Sequence, residues 1–588
     1  MSGRPFTKVL VANRGEIAIR VFRALRDLDV GSVAVYSDAD RGALHPRRAD
    51  EAHALGGMTA AESYLVIEKL LDVARRSGAE AIHPGYGFLS ENATFAQAVL
   101  DAGLTWIGPP PSSIELMGSK TRARQAMQAA GVPIIPGTTD PVATVDEVVA
   151  LGDSIGYPLL IKAAAGGGGK GMEVVRSADE AARAFATAQR QGLAYFANAE
   201  VYVERYLDDP RHVEVQILAD RHGNVIHLGE RDCTIQRRHQ KLVEETPSPA
   251  VDEALRNRIG AIAIDAARAA GYESAGTIEG LLSDGEYYFM EMNTRIQVEH
   301  TVTEEVTGFD LVREQIRVAA GEPLSITQAQ VALRGHAIEC RINAEAVAHN
   351  FLPSPGTITD YEEPSGPGVR VDSGVAAGSV ISPLYDPMIA KLVVHGSDRE
   401  HARARMLRAL SEFRIGGVET LVGFHQALLS HQAFIDAETC HGLVESKELA
   451  DKAAAFAEPA TPSALPGPRA YASERTYEAE IDGRLATVRL FEAEPEWVEL
   501  ARRHTERAKI GGHAAEHVES PMQGTVLKVD VAEGENVVAG KVLCVVEAMK
   551  MENEIVAHRA GVIADLAVSV GDAVSAGSPI CSVLDHAS

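Results

Sequence analysis

The sequence predicts a chain of mixed α/β and α+β character that ends in a small all-β domain. Three observations carry that expectation: strand–helix–strand alternation at the start, a central run of hairpins, and a short internal repeat near the end. The 588 residues suggest about three or four domains at roughly 150 residues each. With 46% hydrophobic residues there is ample material for packed cores, which excludes a mostly disordered acidic protein. A formal net charge of −26 argues against a nucleic-acid partner, and it sits awkwardly with any phosphate-bearing substrate. No stretch approaches the ~18 uncharged apolar residues of a membrane span. The first residues lack the apolar region and cleavage site of a secretory signal. Five scattered cysteines, at positions 233, 340, 440, 544 and 581, show no pairing framework or metal-ligand spacing and fit a reducing cytoplasm.

Lys8 to Asn13 reads as a buried strand, Glu16 to Leu25 as an amphipathic helix and Ser32 to Tyr36 as a second strand, so a parallel sheet is expected. Only Gly15 follows Asn13 closely, so the dinucleotide-binding fingerprint is missing there. From about Lys120 the texture changes to hairpins. Gly166 to Gly171 formally matches a dinucleotide pattern, but a strand follows it rather than a helix. What remains is a glycine hairpin whose amides can fold over phosphates, with Lys162 just before it as a point charge.

His212 to Ile217 alternates polar and apolar residues, turns at Arg221–Asn224 and returns from Val225. Glu230 to Lys241 concentrates positive charge in an acidic protein, where local cations would offset the field of the whole chain. Thr277 to Asn293 reads as strand, turn, strand. A three-residue loop at Asp284-Gly285-Glu286 would place Glu279 opposite Glu291, an unfavourable pair unless a cation intervenes. With Asn293 they make an all-oxygen set suited to Mg²⁺. Polar residues at 291, 293, 295, 297 and 299 would share one face while the strand persists.

A further mixed block runs to about 447, followed by a Pro/Ala-rich stretch with little to bury. A β-like patch, Tyr477 to Phe491, turns at Asp482-Gly483. Gly534-Glu-Asn-Val-Val-Ala-Gly540 then recurs 37 residues on as Gly571-Asp-Ala-Val-Ser-Ala-Gly577, and each copy is followed by an apolar strand. Two copies suggest a small barrel or sandwich with internal two-fold symmetry. Between them lies Ala548-Met549-Lys550-Met551, on a hairpin tip.

Residues 520–586 resemble the biotinyl/lipoyl domain family, and Ala-Met-Lys-Met resembles its biotin branch, which implies biotin attached at Lys550. Asn13-Arg-Gly-Glu16, His83 to Asn92, Gly166 to Gly171, Arg237 to Lys241 and Glu291 to His300 resemble biotin carboxylase. That resemblance implies an ATP-grasp enzyme with an N-terminal Rossmann-like domain, plus the all-β biotinyl/lipoyl-type domain. The whole looks like the α subunit of a biotin-dependent acyl-CoA carboxylase. The implied layout is a Rossmann-like domain over 1–116, an ATP-grasp domain over 117–334 with a lid near 133–204, and a carboxylase C-terminal domain over 335–447. A linker over 448–474, a small docking region over 475–515 and a biotinyl domain over 516–588 complete it.

The resemblance places ATP contacts at Lys120, Lys162, Gly168, Gly169, Glu204, Leu207, His212, Gln236 and His239, and Mg²⁺ (or Mn²⁺) at Glu279 and Glu291 with Asn293 nearby. Lys241, Arg295, Gln297, Val298 and Glu299 match the bicarbonate pocket, with Glu299 as general base. Arg341 matches the arginine beside biotin, and Tyr86 and Gly87 its pocket edge. It further implies a cytoplasmic, oligomeric holoenzyme, a biotin protein ligase and a separate carboxyltransferase β subunit. A two-subunit pyruvate carboxylase-like enzyme is the alternative. A single-chain carboxylase lacks room for its transferase module, a lipoyl carrier fits the flanking methionines poorly, and a non-catalytic scaffold would not carry so full a polar set.

Overall fold

The structure is a computed structural model that describes residues 5–138, 140–163, 171–196, 198–456, 471–481, 484–493, 517–548, 551–575 and 577–584. It divides into two compact units, the larger ending at Pro462 and the smaller built mainly from Ser463–Ser588.

The larger unit opens with the expected parallel sheet. Strands β1 (Lys8–Val11), β2 (Gly31–Tyr36), β3 (Glu51–Ala54), β4 (Ala81–His83) and β5 (Thr105–Trp106) lie in the order β3-β2-β1-β4-β5. Helix α1 (Gly15–Asp27) packs Ile17, Val21, Phe22 and Leu25 against Val9 and Val11, which have almost no exposed surface. The apolar run of β1 follows from burial on both faces of a parallel sheet.

A three-stranded sheet comes next, with β6 (Leu159–Ala163) between β7 (Met172–Val175) and β8 (Val201–Arg205). Lys162 pairs with Met172 on one side and Tyr202 on the other, which establishes the hairpin around the glycine run. The residues between, 164–170, including Gly168 and Gly169, lie outside the described residues.

The eight-stranded antiparallel sheet is the frame of the site. It contains β9 (Arg211–Ala219), β10 (Val225–Arg237), β11 (Gln240–Thr246), β12 (Ser274–Ser283), β13 (Glu286–Asn293), β14 (His336–Asn343), β15 (Val369–Ser373) and β16 (Met388–Gly396). Their order is β13-β12-β9-β10-β11-β14-β16-β15.

The expected linker, 448–474, begins too early and ends inside the strand Tyr471–Ile481. Lys447–Ala454 is helical, capped by the Ser446 hydroxyl accepting from the Leu449 N–H at 3.2 Å, and Leu449 and Ala453 are buried. Those buried contacts and the cap act with the helix preference of alanine, lysine and glutamate, and the helix ends before the prolines that follow. The Pro/Ala segment proper, 457–470, lies outside the described residues. The β-like patch forms a hairpin, Tyr471–Ile481 with Arg484–Ala493, in which Ile481 pairs with Arg484.

The C-terminal domain has two four-stranded sheets. One orders His517–Glu519, Pro579–Leu584, Gly561–Ala564 and Asn536–Val537; the other orders Met551–Val556, Val542–Ala548, Gly524–Val529 and Ala573–Val574. Strand for strand, each sheet is the other's counterpart across the sequence repeat, so the internal two-fold is realised in the topology. Gly534, Gly540, Gly571 and Gly577 all have positive φ (80°, 88°, 96° and 82°), which explains why the repeated glycines are needed. Lys550 lies outside the described residues. No helix among the described residues is long and apolar enough to cross a membrane.

Candidate functional site

The site starts from the register of β12 and β13. Asp284 and Gly285 both have positive φ (52° and 78°) and form a two-residue turn, not the three-residue loop expected from the sequence. Ser283 therefore pairs with Glu286, and Gly280 with Phe289. A bulge before Glu279 then takes up one residue of β13, so Glu279 does face Glu291. The expected pair stands, reached by a different route.

Glu279 also pairs with Glu214 on β9, which in turn faces Arg231 on β10. Three carboxylates thus lie abreast on adjacent strands. Such a row is untenable without cations. Arg231, fully buried, donates from Nε to Glu214 Oε1 (2.5 Å) and from Nη1 to Gln216 Oε1 (2.7 Å). Lys241 on β11 reaches Glu214 Oε2 at 2.5 Å, Glu279 Oε1 at 3.0 Å and Glu299 Oε1 at 2.6 Å. Against the cost of burial, these carboxylates raise the Lys241 ammonium well above its ordinary value.

The predicted polar face beyond Asn293 is not a strand. β13 ends at Asn293, the chain bends, and Glu299 precedes helix α2 (His300–Thr307). The same residues converge nevertheless. Asn293 Nδ2 and Gln297 Nε2 donate to Glu279 Oε1 at 2.7 and 2.6 Å, and His212 Nε2 lies 2.9 Å from Glu279 Oε2. Arg295 donates to Asn293 Oδ1 and Gln297 Oε1, both at 2.9 Å, and is anchored by Glu91 Oε2 at 2.9 Å. Gln236 Nε2 stands 2.7 Å from His212 Nδ1.

Glu299 has no exposed surface. Burial works against its charge, but Lys241, Arg341 and Arg231 together hold its carboxyl well below the usual carboxylate range. Arg341 on β14 donates from Nη2 to Glu299 Oε2 at 2.8 Å and from Nε to Glu244 Oε1 at 2.6 Å. Burial pushes the Glu244 carboxyl up to about 7 despite Arg341.

Other expected residues sit around this centre. Lys162 forms an ion pair with Glu204, which also accepts from Arg124 Nη1 at 2.7 Å. Lys120 opens the helix Lys120–Ala129, where burial outweighs the attraction of Glu291 and lowers its ammonium. Leu207 is half-buried just after β8, and His239 is exposed at the β10–β11 turn with φ 65°. Tyr86 donates its hydroxyl to Glu16, and Gly87 follows with φ 68°. The Val298 carbonyl accepts from Lys391 Nζ at 2.9 Å.

The basic stretch 230–241 is not a solvated patch. Arg231 is internal, and Arg237 lies over the Phe351 ring at 4.3 Å. Glu214, Arg231 and Glu244 are the residues that sequence reasoning missed. The signal for Glu214 was available, since it shares its strand face with His212 and Gln216.

The opposed Glu279 and Glu291 fit a divalent cation: oxygen donors, with Glu291 open to solvent at the row's end while Glu214 is closed off by Arg231.

Comparison with known proteins gives four family matches. The descriptions are biotin carboxylase N-terminal domain (residues 5–114), carbamoyl-phosphate synthase L chain ATP-binding domain (119–327), biotin carboxylase C-terminal domain (339–446) and biotin-requiring enzyme (516–583). The chain is 49% identical to the biotin-dependent acyl-coenzyme A carboxylase alpha3 subunit of Mycobacterium leprae, covering 98% of each. It is 56% identical to a pyruvate carboxylase subunit of Methanothermobacter thermautotrophicus over 73% of this chain and 87% of that one. The biotin carboxylase domain of Hydrogenobacter thermophilus 2-oxoglutarate carboxylase, solved with MgADP and bicarbonate, superposes with a TM-score of 0.71 at 45% identity, covering 76% of this chain and 99% of that one.

Proposed function

The chain belongs to the biotin carboxylases, in the form that carries a biotin domain on the same polypeptide, and we propose that it carboxylates biotin held on its own Lys550 for a separate carboxyltransferase acting on an acyl-CoA. Its activity is that of an ATP-dependent biotin carboxylase, a ligase that uses biotin, ATP and Mg²⁺. The observation that carries the proposal is the placement of buried Glu299 between Lys241 and Arg341.

In this reading Lys241, Arg295, Gln297 and the backbone at Val298 receive bicarbonate, and Glu299 takes its proton on a carboxylate oxygen. The low pKa of Glu299 makes it a base by position rather than by strength. One of its oxygens must leave its cation to act. Lys120, Lys162, Gly168, Gly169, Glu204, Leu207, His212, Gln236 and His239 hold the nucleotide and keep water from it. Glu279 and Glu291, with Asn293 nearby, hold Mg²⁺, which supplies charge neutralisation at the transferring phosphoryl group. Arg341 faces the biotin oxygen, with Tyr86 and Gly87 at the rim. Local Lys and Arg clusters inside the sheet answer the chain's net charge of −26 at the point where anions bind.

The domain layout proposed with this function is 1–116, 117–334 and 335–447 for the carboxylase, extended by the helix Lys447–Ala454, then a docking region over 475–515 and the carrier over 516–588. The full-length likeness to the M. leprae protein favours an acyl-CoA acceptor. The higher identity to a pyruvate carboxylase component over the carboxylase portion alone supports the second reading. Intact-mass measurement after co-expression with a biotin ligase, then a panel of acyl-CoA and pyruvate acceptors with the copurified partner, tests both. A biotinyl gain at Lys550 and acyl-CoA turnover are expected; an unmodified lysine sinks the carrier role, and turnover of pyruvate alone sinks the acceptor.

A further inference from the structure

Lys391 has no exposed surface, yet it stands in the middle of β16, abreast of Arg341 on β14 and Asp372 on β15. Burying an ammonium is costly unless it is paired, so its partners are informative. Nζ lies 2.9 Å from the Val298 carbonyl oxygen and 3.3 Å from Glu16 Oε1. The Val298 carbonyl belongs to the planar peptide that leads directly into Glu299. Lys391 therefore fixes the backbone of the proposed base as well as the edge of the bicarbonate pocket.

Glu16 carries the contact onward. It is buried in the first turn of α1 and accepts the Tyr86 hydroxyl. Asn13, three residues earlier, donates to the Pro84 and Tyr86 carbonyls, both at 2.7 Å. Gly374, just after β15, presses on the same turn: a Cβ there would stand 2.7 Å from the Glu16 backbone nitrogen. The first turn of α1 is thus clamped between β15 and the Tyr86 loop. This gives Asn13-Arg-Gly-Glu16 a role that nucleotide and bicarbonate binding leave open.

We propose that Lys391 and Glu16 are a positioning pair that sets the spacing between the Val298–Glu299 backbone and Tyr86, and so between the bicarbonate and biotin pockets. The proposal rests on the pocket assignments above. Neither side chain is placed on a reacting atom. Their effect is geometric: transfer between two bound reactants is sensitive to displacements of about 1 Å, and a slack frame loses rate.

The test is steady-state ATP cleavage by the full chain with bicarbonate and free biotin varied separately, for Lys391→Met, Glu16→Gln and the double variant, alongside melting temperatures. Lys391→Met should lower kcat/KM for bicarbonate about tenfold or more, with the KM for ATP within about twofold of the unaltered chain. Glu16→Gln should raise the KM for biotin about fivefold and leave that for bicarbonate within about twofold. Because both act through one chain of contacts, Lys391→Met should raise the KM for biotin as Glu16→Gln does, and the double variant should raise it no further. A lowered melting temperature with both KM values unchanged would reduce the pair to a structural ion pair and overturn the proposal. If Lys391→Met does not fold, an unchanged biotin KM in Glu16→Gln decides against it. Absence of bicarbonate-dependent cleavage in the unaltered chain would instead remove the pocket assignments themselves.

Discussion

Glu214, Glu279 and Arg231 lie inside the eight-stranded sheet with at most 5% exposure, whereas the C-terminal core consists of residues such as Val526, Leu543, Val546, Ile563 and Ile580. Among the described residues of that domain, only Ser520 and Ser582 are buried polar side chains. The carboxylase body confines charge to a closed network in which each member neutralises another. The carrier domain has an apolar core and two symmetric sheets, and leaves its proposed chemistry to Lys550. A catalytic centre needs fixed, desolvated charge. A carrier needs only a stable mount, so the two regions should fail in different ways.

The sharpest contrast comes from Lys550→Ala. Delivery of carboxyl groups to the partner should vanish while ATP cleavage stimulated by free biotin persists; loss of both would place Lys550 in the carboxylase's structure. Removing a partner from the buried network comes next. Arg231→Met leaves Glu214 and its neighbours undercompensated and should destabilise the body by about 3–5 kcal/mol, read as an earlier urea midpoint. By comparison, Ile580→Val in the carrier core should cost about 1 kcal/mol.

Acid should separate the regions as well. His45, His83 and His425 are fully buried, and burial pushes them down to about 4, 3 and 4. Each is neutral when folded but takes up a proton below about pH 6.5 when unfolded. Their contribution is complete above that pH and is lost as pH falls toward 4, at about 1.4 kcal/mol per pH unit for each histidine. The body's unfolding midpoint should drop between pH 7 and 5 more than the carrier's. Parallel shifts in the two transitions would contradict this.

Legibility in the sequence also divides along these lines. The carrier's symmetry is readable because the repeat is short-range and its glycines mark turns that need positive φ. Strands β1 and β2, helix α1 and the β12–β13 hairpin are readable from period and turn chemistry. The expected Glu279–Glu291 pairing is right although the turn is one residue shorter than expected, because the bulge compensates for it. Glu214, Arg231 and Glu244 escape because their partners are distant in sequence. Lys241 meets Glu299 across 58 residues and Arg341 meets Glu244 across 97. Periodicity shows which residues share a strand face, but not what the neighbouring strands bring to it. The helix Lys447–Ala454 is overshadowed by the proline-rich run that follows it, although its alanines and its Ser446 cap are helix signals.

In the proposed mechanism Glu299, held between Lys241 and Arg341, takes the proton from bicarbonate. This role is tested most directly by measuring bicarbonate-dependent ATP cleavage, with free biotin, in Glu299→Gln and in the unaltered chain, together with nucleotide affinity. Glu299→Gln should lose about a hundredfold or more in turnover, with ATP binding within about twofold. Turnover at the unaltered rate in Glu299→Gln would contradict this role.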